Sequence, residues 1–483
     1  MDRRVMTREA LLAIAHEILG ASDRWFSIRI EHISHAITKV TNGRTLSTQS
    51  GEDVQISLSS TFGTGLPVSI DLNQVNPETL RQATTLIAHM APPRRSAAEI
   101  EPDDPDDVQY FKYTAKPLLP VTLWHDSTIH AMDMARGETI PQLVEQLHGA
   151  GLVGAATVGS LARSVLYLYK QGLTSFAEET DNEVTVTARS ADGTASGWSG
   201  MANRDWAQIK PDMVAAQAID LAERSRNPVA LEPGRRVAIL GPAAVAQLVY
   251  AMAPAFDGEN TRLGGTPLSN RSGVGGRTTK MGQRVFDPRL VLLSDPTDPM
   301  GGFPPFFELY NQIEFYNYGY PTAPITWIDG GILENLAYNA HDAALYRLPA
   351  ADVPSSVRMT TVPGTKTATI AEMIANCEEG VYVNRFSDVM VLDLHTMMMT
   401  GATRDGCFLI KHGKIEKPIK NFRFTDSPFF SFNKVEMIGT PERVAFGAPR
   451  SQAERERRWP KLPVIVPPMM IQDFNFSALA DAV

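Results

Sequence analysis

The chain has 483 residues, 43% hydrophobic and 20% charged, with a formal net charge of −9. That length supports two or three domains and a large core, and the composition excludes a mostly disordered, collagen-like or coiled-coil chain. The acidic balance argues against nucleic acid as the main partner, and two cysteines, Cys377 and Cys407, argue against a disulfide framework.

No apolar signal-peptide core follows Met1-Asp2-Arg3-Arg4-Val5, so a cytoplasmic location is expected. Leu11, Leu12, Ala15, Ile18 and Leu19 predict a helix over residues 7–19, with Thr7 as its N-cap. Alternation predicts strands over 26–30 and 54–58. A second helix is predicted over 76–91, with Pro77 in its first turn and Glu78 at its positive end. Pro92 to Asp107 is rich in Pro and Asp and reads as a solvated loop. Helical spacing resumes over 125–150, with Asp126 as the expected N-cap. Strands joined by turns follow over 164–199, then a helix over 212–226.

Asn227-Pro228 and Glu232-Pro233-Gly234 form a turn-rich break, so a domain boundary is expected near residue 230: an N-terminal α/β domain over 1–230 and a β-rich domain over 231–483. The apolar run from Val237 to Phe256 is broken by Gly241-Pro242 and Pro254. It reads as a short buried strand (237–240) and a buried helix (243–253), not a membrane span. Asp329-Gly330-Gly331 and His412-Gly413 signal tight turns between strands. The overall class is α+β, strand-heavy in the second half.

Familiar catalytic motifs are missing: His-Glu-x-x-His, Cys-x-x-Cys and Gly-x-Ser-x-Gly do not occur. Gly273 to Lys280 imitates a phosphate loop, but Lys280 is not followed by Ser or Thr and no glycine directly precedes it. A flexible or ligand-facing loop is the simpler reading. His125 and His130 are five residues apart, about 140° around a regular helix, and could share a metal only if the helix begins between them. His16-Glu17 and His32/His35 lack a third ligand. Cys407 precedes an apolar strand and reads as a small buried residue, with His412 too far along the same hairpin to activate it.

Several longer strings carry a family signature. Leu166-Tyr167-Leu168-Tyr169-Lys170-Gln171-Gly172-Leu173-Thr174-Ser175 leads into Glu183 to Arg189 and Asp192 to Trp198. Later come Glu378 to Val383 and Gly406 to Lys420, in which Gly413-Lys414-Ile415 and Pro418-Ile419-Lys420 are the most specific piece. Together these resemble the TldD/PmbA family, the "modulator of DNA gyrase" metallopeptidases. The likeness spans nearly the whole chain but is strong only in these islands. It implies a two-domain fold, subunits assembled around a closed chamber, and a zinc site built from His-Glu-x-x-x-His and a later cysteine.

Under that resemblance the motif falls on Val249-Tyr250-Ala251-Met252-Ala253-Pro254, followed in register by Asp257-Gly258 and Arg262. Val249 and Pro254 stand at the ligand positions and Tyr250 at the base position. Val and Pro offer no lone pair to zinc, and a neutral Tyr is a poor base near pH 7. No cysteine follows Cys407. The expectation is a PmbA/TldE-like, non-catalytic subunit that carries no metal of its own. Zinc and the base would come from a TldD-like catalytic homologue, with Asp257, Asn260 and Arg262 as candidate substrate-binding residues. The substrate expected is a small or unfolded peptide or an amino-acid conjugate, in a natural-product pathway for example. The other readings open from sequence are a stand-alone hydrolase centred on His125/His130 or Tyr250, and a homo-oligomeric binding or scaffold protein.

Overall fold

A computed structural model describes residues 4–21, 27–60, 68–90, 117–169, 172–270, 278–307, 319–338, 340–348, 351, 354, 356–446 and 463–480. The expected loop over 92–107 and residues 273–277 of the stretch that imitates a phosphate loop lie outside them.

The first half opens with helix α1 (Arg8–Ala21), where the Ala10 amide donates to Thr7 Oγ1 at 3.3 Å, the expected cap. Strands β1 (Ser27–Thr41), β2 (Arg44–Ser60) and β3 (Val68–Leu72) follow, then α2 (Pro77–Met90), capped by Asn76 through the Glu78 amide. The strands are far longer than the alternating runs suggested. Helix α3 (Asp126–Gly149), β4 (Val153–Tyr169), β5 (Thr174–Arg189), β6 (Ser196–Asn203) and α4 (Pro211–Arg224) complete this half. Asp126 is not the N-cap of α3. His125 holds that position with no side-chain cap, and the Asp126 carboxylate accepts the Trp124 indole N–H at 2.8 Å instead.

The six strands pair antiparallel in the order β3-β2-β1-β4-β5-β6. One face is covered by helices. Ile28, Ile30, Ile56, Leu58 and Leu166 meet Leu11, Ile18 and Leu80 of α1 and α2, and Val158, Val184 and Val186 meet Leu143, Leu147 and Ala218 of α3 and α4. Helix α4 lies so close that a Cβ on Gly197 would sit 2.2 Å from the Ala218 carbonyl oxygen. Only glycine fits there.

The opposite face of this sheet carries buried charge. Arg29 donates to Glu31, Arg163 to both Glu31 and Glu179, and Arg204 to Glu179, in one chain of alternating sign across β1, β4 and β5. Burial pushes the Glu31 carboxyl up, but Arg29 and Arg163 outweigh it and hold the group at about 2. Glu179 is lowered in the same way, its own burial being overcome by Arg204 and Arg163.

The second half contains two more sheets. Strands β7 (Gly234–Leu240), β12 (Glu379–Asp393), β13 (Met398–Lys411), β15 (Phe422–Asp426) and β19 (Met469–Leu479) pair in a closed ring. Closure removes free edges over much of their length. Strands β14 (Lys414–Pro418) and β16 (Val435–Ile438) attach outside it. The other sheet runs β10 (Ile332–Leu333), β9 (Ile325–Asp329), β8 (Leu290–Ser294), β11 (Val357–Thr361), β18 (Val464–Val466) and β17 (Glu442–Arg443). The expected tight turns are present: Gly330 and Gly331 both have positive φ between β9 and β10, and His412 and Gly413 do so between β13 and β14. One large core, including Phe256, Trp327, Phe386, Phe424 and Phe474, binds these strands to the helix that follows β7. No helix of the described residues is long and apolar enough to cross a membrane.

Arg163→Ala leaves two carboxylates buried without their shared partner, which costs about 3–5 kcal/mol. Urea denaturation should show that loss. Folded Glu31 titrates at about 2 against 4.5 unfolded, so its contribution is present above pH 4.5 and lost as pH falls towards 2. Stability should therefore decline over that window in the wild type and decline less in Glu31→Gln.

Candidate functional site

The residues aligned with the degenerate motif sit on helix α5 (Pro242–Ala251) and the segment after it. Gly241 precedes the helix, Pro242 opens it with its fixed φ, and Ala244, Val245, Ala246 and Leu248 bury it in the core. The helix ends at Ala251. A 3-10 turn (Ala253–Phe256) and the short helix α6 (Gly258–Arg262) follow.

Val249, 2% exposed, is part of the apolar core. Tyr250 stands out at 36% exposure, its ring 5.6 Å from that of Phe446. Pro254 is exposed in the 3-10 turn, one turn beyond the helix end. The two positions expected from the resemblance to correspond to ligands differ in environment: one faces a hydrocarbon interior, the other the surface. Zinc does not fit these residues. Neither side chain has a donor atom, and among the described residues no group of three His, Cys, Asp or Glu side chains comes together to hold a metal.

The three residues expected to bind substrate have separate roles in the structure. Asp257 caps α6, its Oδ1 accepting the Asn260 amide at 2.8 Å. Asn260 packs against Gly265, where a Cβ would lie 1.9 Å from Asn260 Oδ1. Arg262 lies over the Tyr346 ring at 3.8 Å, and its Nε is 3.9 Å from Glu259 Oε2. Tyr346 donates its hydroxyl proton to the same Glu259 oxygen at 2.8 Å. That bond raises the Tyr346 phenol, and burial raises Tyr338 beside it, so both stay protonated at neutral pH. Arg262 remains about one-third exposed. Of the three, it alone has the reach and charge to meet a ligand.

Sequence reading passed over the surface near Tyr250. Phe446, which packs on Tyr250, donates its amide N–H to Glu183 Oε2 at 3.1 Å. Arg443 donates to Asp181 at 2.6 Å, and Arg204 bonds Glu179 and the Gly302 carbonyl. The helix carrying the degenerate motif is therefore linked, through residues 443–446, to a stripe of carboxylates on β5. The signal was present as Glu179-x-Asp181-x-Glu183, whose period of two places all three on one face of a strand.

The other candidate residues have local roles. His130 Nδ1 bonds the Asp126 carbonyl oxygen at 2.7 Å within its own helix. His412 pairs with Glu378 on the surface. Cys407 is buried, and burial pushes its thiol up to about 12, far from a nucleophilic thiolate.

Residues 233–478 match the family profile described as PmbA/TldA metallopeptidase C-terminal domain. No curated protein matches the sequence. Solved structures do. A proposed modulator of a DNA gyrase from Thermotoga maritima is 12% identical with a TM-score of 0.75, over 96% of this chain and 99% of that one. A second proposed modulator of DNA gyrase, from Bacteroides thetaiotaomicron, is 16% identical with a TM-score of 0.71, over 98% and 100%. TldE from Thermococcus kodakarensis is 15% identical with a TM-score of 0.72, over 96% and 99%. At these identities the structures establish the fold, and the profile, covering just over half of the chain, establishes the lineage: this chain belongs to the TldD/PmbA metallopeptidase family.

Proposed function

We propose that this chain is the non-catalytic subunit of a heterodimeric TldD/PmbA-type zinc metallopeptidase. One observation carries the reading. The helix, its 3-10 extension and the Asp257-Gly258…Arg262 element are all built, yet Val249, Tyr250 and Pro254 leave no ligand or base on them. A scaffold that keeps its frame but has no metal donors fits a supporting role. The likeness to TldE is consistent with it. Zinc and the general base would come from a TldD-like catalytic homologue. This chain would complete the chamber and hold the substrate, a small or unfolded peptide or an amino-acid conjugate of the kind processed in natural-product maturation. Two stretches of the chain, the turn-rich break near residue 230 and the change of sheet on either side of it, support an N-terminal unit over 1–230 and a C-terminal unit over 231–483.

Elemental analysis of the purified chain should find no stoichiometric zinc; about one zinc per chain would overturn the reading. Mixing with a His-Glu-x-x-x-His homologue should give a stable heterodimer with an interface above about 2,000 Å², whereas a monomer indifferent to that homologue contradicts it.

Arg262 is proposed to hold a substrate carboxylate with its guanidinium. Arg262→Ala should lower turnover by the assembled complex without dissociating it, and Arg262→Lys should restore little, because lysine cannot reproduce the planar fork. Unchanged kinetics at full assembly would reject the role.

Rebuilding the motif should not rebuild the enzyme. Val249→His places an imidazole in a hydrocarbon core, where an unsatisfied polar group costs about 1–3 kcal/mol. With Tyr250→Glu and Pro254→His added, the later cysteine ligand is still missing, and catalytic zinc needs three protein ligands. The triple variant should be less stable and inactive alone; chelator-sensitive peptidase activity from it would show that the scaffold is catalytically competent.

A further inference from the structure

Residues 4–7 precede helix α1 as a non-helical strap on the helix-covered face of the first sheet. Val5 enters a small apolar cluster with Ala36 of β1, Ala162 of β4 and Met132 of α3. Met6 packs at the margin of the core beneath α1 and α2. There the Met6 amide N–H donates to Nδ1 of His32 at 3.0 Å. His32 is buried on β1, and its Nε2 lies 3.8 Å from Glu52 Oε2 on β2. A ring nitrogen that accepts a hydrogen bond carries no proton, so this contact fixes neutral His32 as the tautomer protonated at Nε2.

Three features make the contact conditional. First, the nitrogen that holds the strap is the one an added proton must take. Once protonated, Nδ1 is a donor and faces the Met6 N–H, a second donor. Second, the floor around the Val5 contact is polar. Ser160 and Ser164 flank Ala162 on one face of β4, opposite Ala36 and His32 of β1, and both hydroxyl oxygens are buried without a hydrogen-bond partner. Buried polar groups in that state favour any opening that admits water. Third, Arg4 at the start of the strap is left-handed (φ 56°), an uncommon conformation for a residue with a side chain.

We propose that His32 is a pH-operated latch: in its neutral form it holds the strap of residues 4–7 closed on the sheet, and in its protonated form it releases the strap. Glu52, exposed on β2, is placed to receive the Nε2–H of the charged ring. Burial pushes the ring below its ordinary value of 6.5 and outweighs Glu52 and Asp53, which raise it. Opening the strap restores the ordinary value, so closure is at full strength above pH 6.5 and weakens as pH falls below it. The other charged or titratable groups on the surrounding elements are Arg4 on the strap, Arg8 and Glu9 in the first turn of α1, Asp126 and His130 on α3, and Glu178 on β5, two strands away on the same face.

The test uses the full chain and needs neither a partner subunit nor a substrate, so its outcome is independent of the chamber reading. Hydrogen–deuterium exchange is followed by mass spectrometry and corrected for the intrinsic pH dependence of amide exchange. The opening equilibrium of the amides of residues 5–8 should rise at least about threefold between about pH 7.5 and about pH 5.5, while amides of β4 keep their protection. His32→Asn keeps an acceptor near the place of Nδ1 but cannot titrate, so its strap should show no such rise. Nitrogen-15 NMR of the histidine rings should find His32 protonated at Nε2 at neutral pH, and this measurement and the wild-type pH series stand even if the variant fails to fold. The proposal is overturned if strap protection in the wild type is the same at both pH values, if β4 loosens equally, if His32→Asn follows the wild type, or if neutral His32 carries its proton on Nδ1.

Discussion

The structure depends on a chain of buried charges. Arg29, Glu31, Arg163, Glu179 and Arg204 cross the first sheet in alternating sign, and none of them could be left alone. An ion removed from water is stable only when opposite charge and hydrogen bonds replace its hydration. This requirement fixes more than one sheet. Arg204 bonds the Gly302 carbonyl, and Arg443 bonds Asp181 on the neighbouring position of the same face. The second half of the chain must therefore dock where these partners are, with little freedom to slide. Apolar packing by Tyr167 and Phe306, 5.6 Å apart and edge to face, fills the same junction.

That docking gives the degenerate motif its surroundings. Helix α5 is anchored in a hydrophobic core on one side, and its one exposed aromatic, Tyr250, rests on Phe446, whose amide is held by Glu183. Val249 lies in that core, the Asp257 carboxylate caps a helix, and Arg262 stacks on Tyr346.

Much of this protein was legible in its sequence. The helix cap at Thr7 and the turns at Gly330-Gly331 and His412-Gly413 depend on residue type and short spacing alone. Such features are local, so periodicity and turn chemistry reveal them. The cap of α3 escaped because the helix begins one residue earlier than Asp126 would cap it, and the Asp126 carboxylate accepts the Trp124 indole N–H instead. Tertiary structure alone decided the closure of five strands into a ring, the pairing of Arg163 with Glu31 132 residues away, and the seating of Arg262 on Tyr346. In each case the partners are far apart in the chain. Which charge meets which is settled only when two faces are buried against each other and every ion must find its counterpart.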